Sequence, residues 1–548
     1  MVTKKSPEPS ASGLMATSEN QRDRPAGTGF RRDGRDDAAE GSRDVGDPCE
    51  RLGVRAGHVV ERAGPAPAAG TSFRREGRGG AAERPAGPAP AAGTNTDPLL
   101  HYLSDRWGGP AGRRLSDKRR GFWTTPRILA TLTGLGILLA LLSSQYCRIN
   151  GWGGTEVYHW GCYSDVAALW DSREFSEHAW APFLEGYTNF EYPALTMLLA
   201  SVLAAATHGI DGVLGGTAVD YWGERTGLLY WDLTFLLSAL AWFVLTLAVM
   251  RAAGSRRWTA VIVAVSPAII FGVGINWDIF AAAALAVAVL CCLRGQWWLA
   301  GILIGIGVSF KLYPLFLLGA VFTLALRHQL RPEPDPAVRW SDLGRLGAAG
   351  ALTWAVLNVP VMLLNLEAWA EFFVFSAERG AGWSSLWQIW GVLTGTPLSA
   401  EAVSAWSFIM FALSCAAVLL IGLTAPQRPG LVPLLLLIVA AFMVFNKVYS
   451  PQFMIWLVPL IALAGLKLRD VLIWHAFQIL HFWAIWMHLA AQISESEPQH
   501  LFDEKLYVAA VFGHVLSTLY ICAIVIRDLY RPGAHYRPSP SLPRSTRN

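Results

Sequence analysis

The sequence predicts an all-α, polytopic transmembrane bundle, and three observations carry that prediction. Of 548 residues, 53% are hydrophobic and only 16% charged, which suits successive membrane-crossing helices better than a soluble core. From Ile128 onward apolar runs follow one another with few interruptions. All of the 24 Trp lie after residue 100, many at the ends of those runs, where indole rings favour the headgroup region.

Residues 1–120 differ from the rest. They are rich in Arg, Gly, Pro, Ala and Asp, and bury too little apolar surface to offset ordering entropy, so a disordered cytoplasmic tail is expected. Ala26-Gly-Thr-Gly-Phe-Arg-Arg-Asp-Gly-Arg35 is echoed by Ala69-Gly-Thr-Ser-Phe-Arg-Arg-Glu-Gly-Arg78, and Ala63-Gly-Pro-Ala-Pro67 recurs at Ala86-Gly-Pro-Ala-Pro90. These repeats have no hydrophobic face to stack, so they read as low-complexity expansion and not as a solenoid.

The membrane domain is placed at 121–530, with a cytoplasmic tail at 531–548. Residues 128–144 form the first apolar run, an internal anchor with no signal peptide ahead of it. Lys118-Arg119-Arg120 precedes it, so the positive-inside rule keeps the N-terminus cytoplasmic and sends the next segment outside. That segment, 146–225, is the first outer loop. It carries Cys147-Arg148, Gly161-Cys162-Tyr163-Ser164-Asp165 and Phe190-Glu191-Tyr192-Pro193. The apolar spacing of Val166-Ala-Ala-Leu-Trp170, continuing to Arg173, Phe175 and Trp180, predicts a short amphipathic helix on the membrane surface.

Charge decides the remaining spans. If residues 192–208 crossed and 297–326 crossed once, residues 251–257 and Arg294 would both lie outside, against the positive-inside rule. Letting 192–208 lie in or re-enter from the outer face, and breaking 297–326 near Lys311-Leu-Tyr-Pro314, moves both inside and gives about 12 spans. Asp278 and Lys311 then face outward with Asp165. Residues 365–401, 447–452 and the acidic 494–504 also fall outside, whereas 427–428, 467–470 and the end from Arg527 fall inside. The net charge of +4 thus reflects topology, not nucleic-acid binding.

The 7 Cys do not form the framework of a secreted domain. Cys291, Cys292, Cys415 and Cys522 sit in apolar runs as small hydrophobes. Cys147 and Cys162 share the outer loop, where oxidation is allowed, and are expected to form a disulfide.

Several polar residues could carry chemistry, each with a plainer structural role beside it. Asp165 is either a helix cap or a base poised near the headgroups. Glu191 is an interfacial charge ahead of a proline-led helix, or a ligand for acceptor hydroxyls. Asp278 opens an apolar run as an N-terminal helix charge or a substrate ligand. Lys311, flanked by apolar residues, either snorkels or meets an anion. Arg379 could hold a phosphate bidentately or pair with Glu378. Lys447-Val-Tyr449-Ser-Pro-Gln452 is a polar break of the kind tolerated where it lines a cavity. Zinc-protease spacing, a P-loop and a Gly-x-Ser-x-Gly elbow are absent from the sequence. No cytoplasmic nucleotide-sugar domain is recognisable either, so a sugar donor would be lipid-linked.

Taken in order, Cys147-Arg148, Gly151-Trp152, Cys162-Tyr-Ser-Asp165, Glu191-Tyr-Pro193, Asn276-Trp-Asp278, Gly305-x-Gly-x-x-x-Lys311-Leu-Tyr-Pro314, Arg379-Gly380 with Ser385-Leu-Trp387, and Ser450-Pro-Gln452 resemble the actinobacterial membrane glycosyltransferases of family 87. The resemblance covers about residues 120–530. It implies a GT-C fold with Asp165 as catalytic base in the first outer loop and Asp278 as the second outer acidic residue. It also implies a polyprenyl-phosphate sugar donor, typically mannose, and a glycolipid or cell-envelope glycan acceptor.

The expected reaction is inverting hexosyl transfer on the extracytoplasmic face of the cell membrane. Asp165 takes the acceptor proton. Glu191, Asp278, Lys311, Arg379, Lys447, Tyr449 and Gln452 bind substrate, the three cations meeting the leaving phosphate. No cofactor is required; a divalent metal is allowed for. Membrane lipids are partners and nucleic acid is not. The rival readings are a flippase for polyprenyl-linked sugars and a secondary transporter, the latter expected to show inverted repeats that this sequence lacks.

Overall fold

The computed structural model describes residues 123–214, 226–334, 337–494 and 503–531. The N-terminal repeats, nearly all of the C-terminal tail and most of the acidic segment 494–504 lie outside them. The described residues form helices and connecting loops, with no strand among them.

Helix α1 spans Thr125–Ser143 and runs into the short α2, Gln145–Asn150. The first loop holds α3, Glu156–His159, and α4, Asp165–Ser172, then leads to α5, Ala194–Leu214. After α6, Thr226–Ala252, a 3-10 stretch passes into two short pieces, α7 (Val261–Ala264) and α8 (Pro267–Gly272), separated where Ser266 precedes a proline. Next come α9 (Asp278–Leu293), α10 (Trp297–Phe310), α11 (Phe316–Leu330) and α12 (Trp340–Leu364). Two short helices, α13 (Leu366–Glu378) and α14 (Leu386–Thr394), precede α15 (Ala400–Thr424). The chain closes with α16 (Leu431–Phe445), α17 (Met454–Ala464), α18 (Leu468–Ser494) and α19 (Glu504–Tyr530).

Among the described residues, six helices are long and apolar enough to cross a membrane: α1, α5, α6, α12, α15 and α19. The shorter apolar helices α9 and α16 and the segment ending in α17 are largely buried among the others, whereas α10 buries one face. The break after α10 falls at Lys311, which is extended at φ −156° and ψ 145°. The freed carbonyl of Phe310 accepts from Thr196 Oγ1 of α5 at 3.1 Å.

Close helix contact explains two of the glycines. A Cβ on Gly301 of α10 would stand 2.4 Å from the Leu346 carbonyl of α12, and one on Gly305 would stand 2.7 Å from that of Gly350. Small residues let the two backbones touch, as in small-xxx-small membrane interfaces.

The first loop is clamped onto α6. Arg148 forks onto Asp232, with Nε and Nη2 at 2.9 and 2.8 Å from the carboxylate. Trp152 packs 5.3 Å from Trp231, and Trp170 packs 4.8 Å from Tyr230. Helix α4 turns Val166, Leu169 and Trp170 inward, all buried, and packs against α6. Its apolar face therefore meets protein.

Both ends of α5 return to this same loop. Tyr192, just ahead of it, bonds Asp165 at 3.0 Å, while His208 Nε2 lies 2.8 Å from the Phe175 carbonyl. Gly227, at the start of α6, also meets Trp170. These contacts tie α5 to the first loop near both of its ends, and by length and composition it is also a candidate membrane span.

Replacing Gly301 by Val should destabilise the protein by about 1–3 kcal/mol or more, the usual cost of overpacking. Gly347→Ala on α12 should be near neutral, because a Cβ there meets nothing within 4 Å. Thermal midpoints in detergent read both; equal midpoints would contradict the close α10–α12 contact.

Candidate active site

The site is built on the corner that begins α4. Cys162 is disulfide-bonded to Cys147, and its carbonyl accepts from Trp152 Nε1 at 3.1 Å. Gly161 has φ +61°, and a Cβ there would also lie 2.7 Å from Trp483, so only glycine suits the bend. Next, Ser164 Oγ donates to the Gly274 carbonyl at 2.7 Å and accepts from Trp231 Nε1 at 3.1 Å. The Asp165 N–H donates to the Ile275 carbonyl at 2.8 Å. The corner is thereby bolted to the link between α8 and α9.

The N-cap of α4 is Ser164, and it makes no side-chain capping bond. The Asp165 carboxylate instead accepts from Tyr163 OH on Oδ1 at 2.9 Å, and from Tyr192 OH and Asn276 Nδ2 on Oδ2 at 3.0 and 3.3 Å. Burial raises its carboxyl above the ordinary aspartate value, while those three hydrogen bonds and the Lys311 charge oppose the rise. One edge of Asp165 stays open, because it borders a cavity of about 390 Å³.

That cavity is also bordered by Glu191, Lys311, Arg379, Lys447 and Gln452, so most of the candidate residues converge. Glu191 is held by Arg173, whose Nε and Nη2 reach its two oxygens at 2.9 and 2.8 Å. Lys311 Nζ lies 3.6 Å from Asp278 Oδ2, so its charge meets a partner. Arg379 follows α13, which Asn365 caps while donating to the Leu184 and Tyr187 carbonyls of the first loop. The Arg379 guanidinium rests 5.2 Å from the Phe375 ring, and its buried Nε has no hydrogen-bond partner. Burial lowers its pKa. Lys447 donates to the Ala377 carbonyl at 3.2 Å and Ser404 Oγ at 2.8 Å. Burial and then the charge of Arg379 lower it in turn.

Two candidates stand behind the wall. Asp278 is fully buried and outside the cavity lining. Tyr449 is also buried, its hydroxyl paired with Thr518 at 3.2 Å. Neither borders the cavity, so these two are not brought together with the other candidates. Conversely, Tyr163, Tyr192 and Asn276 contact the carboxylate and were given no role from sequence. Their signal was adjacency, since each lies within two residues of a flagged acid. Among the described residues, no group of three or more His, Cys, Asp or Glu could hold a metal ion.

A second recess of about 370 Å³ lies between α10, α12 and α13, lined by apolar residues such as Ile304, Val308, Leu346 and Trp354. It shares Pro193, Leu312, Phe372 and Phe373 with the first cavity. A chamber with one half-open carboxylate and an arginine whose buried Nε is unbonded thus adjoins an apolar one across these shared residues. This pairing suits a ligand with a charged head and a hydrocarbon tail.

The family model described as Glycosyltransferase family 87 matches residues 190–445. The match takes in Glu191, Tyr192, Asn276, Asp278, Lys311 and Arg379, begins after Asp165, ends before Lys447, and spans just under half of the chain. This stretch is therefore similar to a family of glycosyltransferases. No curated protein matches the chain.

A carboxyl raised by folding binds its proton more tightly in the folded protein, so stability falls as pH climbs from the unfolded value, near ~4, to the raised one. Asp165→Asn removes that loss. Its thermal midpoint should exceed wild type at neutral pH, and the gain should vanish at about pH 4. A pH-independent difference would contradict the raised carboxyl.

Proposed function

We propose that the chain is a membrane glycosyltransferase that moves a hexose, mannose by the resemblance, from a polyprenyl phosphate to a lipid or cell-envelope glycan on the extracytoplasmic face. The observation that carries this reading is the three-donor cage around Asp165, open on one edge to a chamber with Arg379, whose buried Nε is unbonded. The family match over residues 190–445 supports the reaction class.

The chemistry follows from the bonds. Oδ2 of Asp165 is occupied by two donors and Oδ1 by one, so Oδ1 has the freer lone pair for an acceptor hydroxyl. As the acceptor oxygen attacks the anomeric carbon, its proton passes to Oδ1 and the bond to the phosphate oxygen breaks. The phosphate leaves on the opposite side, hence with inversion, and its growing charge meets Arg379, with Lys447 nearby. Binding the phosphate would satisfy the guanidinium that burial now disfavours. The apolar recess would take the adjoining hydrocarbon of the donor.

A flippase or transporter for the same lipid would use the recess and the cations. It would have no need of a carboxylate fixed by three donors. That difference makes Asp165 the test.

Purified protein supplied with labelled polyprenyl-phosphate hexoses and membrane lipid should give labelled glycolipid. Asp165→Asn should lower the rate on the order of 10²-fold or more. Full transfer by that variant would remove the base, and no transfer from any such donor would remove the reaction class.

The recess gives a separate expectation. Gly347 lines it and has open space for a side chain, so Gly347→Phe should fill it without a clash. The KM for a long-chain donor should rise about tenfold, equivalent to roughly 1.4 kcal/mol, while a donor with a short chain should be unaffected. An equal effect on both donors would place the tail elsewhere.

A further inference from the structure

Asp278 does not border the cavity, yet it is joined to the site by two routes. Through Asn276 it is linked to Asp165: Asn276 Oδ1 accepts from the Asp278 N–H at 3.2 Å, and Asn276 Nδ2 donates to Asp165 Oδ2 at 3.3 Å. Its own carboxylate provides the second route. Oδ1 accepts from Trp456 Nε1 at 2.6 Å, whereas the buried Oδ2 has no hydrogen-bond donor and faces Lys311 Nζ at 3.6 Å. Trp456 is itself fixed by stacking, 4.2 Å from Tyr313 and 4.0 Å from Phe453.

A fully buried carboxylate with one unsatisfied oxygen is expensive unless a counter-charge is held against it. Lys311 supplies that charge from the cavity wall. Its ammonium also sits 5.2 Å from the centroid of the Tyr192 ring, the tyrosine whose hydroxyl bonds Asp165. Lys311 therefore stands between two carboxylates. Direct bonding to Asp165 would occupy the oxygen that must accept a proton, whereas a cation near but not touching favours the ionised form.

We infer that Asp278 is a positioning residue: it tethers Lys311 beside Tyr192, so that the lysine stands near Asp165 without bonding its open Oδ1. This rests on the reading of Asp165 as the base. The titratable groups around Asp165 are Tyr158 and Tyr163 from its own loop, Glu191 and Tyr192 ahead of α5, Asp278 on α9, Lys311 after α10 and Arg379 after α13. Among them, Lys311 is the group that Asp278 holds directly.

The test is the pH dependence of kcat/KM in two variants. In Asp278→Asn the ammonium loses its anchor and turns to Asp165. The acid limb should move to lower pH, and the plateau should fall about tenfold as the oxygen is occupied. In the double variant Lys311→Met with Asp278→Asn the net charge is conserved, but Asp165 loses its cation. The acid limb should move to higher pH by about one unit, with a plateau above that of Asp278→Asn alone. Thermal midpoints near wild type confirm that both are folded. Acid limbs that stay at the wild-type position, or move together, overturn the tether. Asp165→Asn assayed alongside separates the two claims. Activity in it overturns the base and the tether together, whereas an inactive Asp165→Asn with unmoved acid limbs overturns the tether alone.

Discussion

The structure turns on keeping one carboxylate ionisable beside a largely apolar interior. Taking a charge out of water costs several kcal/mol even after relaxation, and a hydrogen bond to a charged group returns about 1.5–3 kcal/mol. One donor would leave Asp165 poorly compensated; three roughly balance it. Those three come from residues 163, 192 and 276, which are brought together only if the first loop, the entry to α5 and the entry to α9 are fixed relative to one another. The disulfide, the Ser164 bond to Gly274 and the Arg148 fork onto Asp232 serve that end. Much of the loop's odd chemistry is explained by holding one corner still.

The cations divide the work in a similar way. Lys311 is turned toward a buried counter-charge, Asp278, 3.6 Å away. Arg379 has an unbonded buried Nε, and Glu191 is already committed to Arg173. The cavity's uncompensated positive charge is thus displaced from the carboxylate toward Arg379 and Lys447, which border the same space. A displacement with base and leaving group on opposite sides of a carbon calls for that separation. Breaks in short helices supply it, since Lys311 and Lys447 both stand where a helix ends.

Much of this was legible in the sequence. Apolar run lengths indicate a multi-helix membrane bundle, and two lone thiols in one loop indicate their own pairing. Charge placement puts Asp165, Lys311, Arg379 and Lys447 on a common side, and these four do border one cavity. Loop-level placement says nothing, however, about where a side chain points. Asp278 and Tyr449 sit in the right segments yet turn inward, toward Trp456 and Thr518. Tyr163, Tyr192 and Asn276 are neutral and carry no periodic or charge signal, so their convergence on one carboxylate from separate loops is a tertiary fact. The spacing of Val166, Leu169 and Trp170 marks an apolar face but cannot name its partner, which is α6 and not lipid.

The most direct test of the account is a structure of the intact protein with a non-transferable polyprenyl-phosphate hexose analogue bound. The account predicts phosphate oxygens within hydrogen-bond distance of the Arg379 guanidinium, the sugar in the Asp165 cavity with its anomeric carbon turned toward Oδ1, and the first isoprene units in the recess beside Gly347 and Leu346. A phosphate held away from Arg379, or a sugar whose reacting carbon faces away from Asp165, would contradict it.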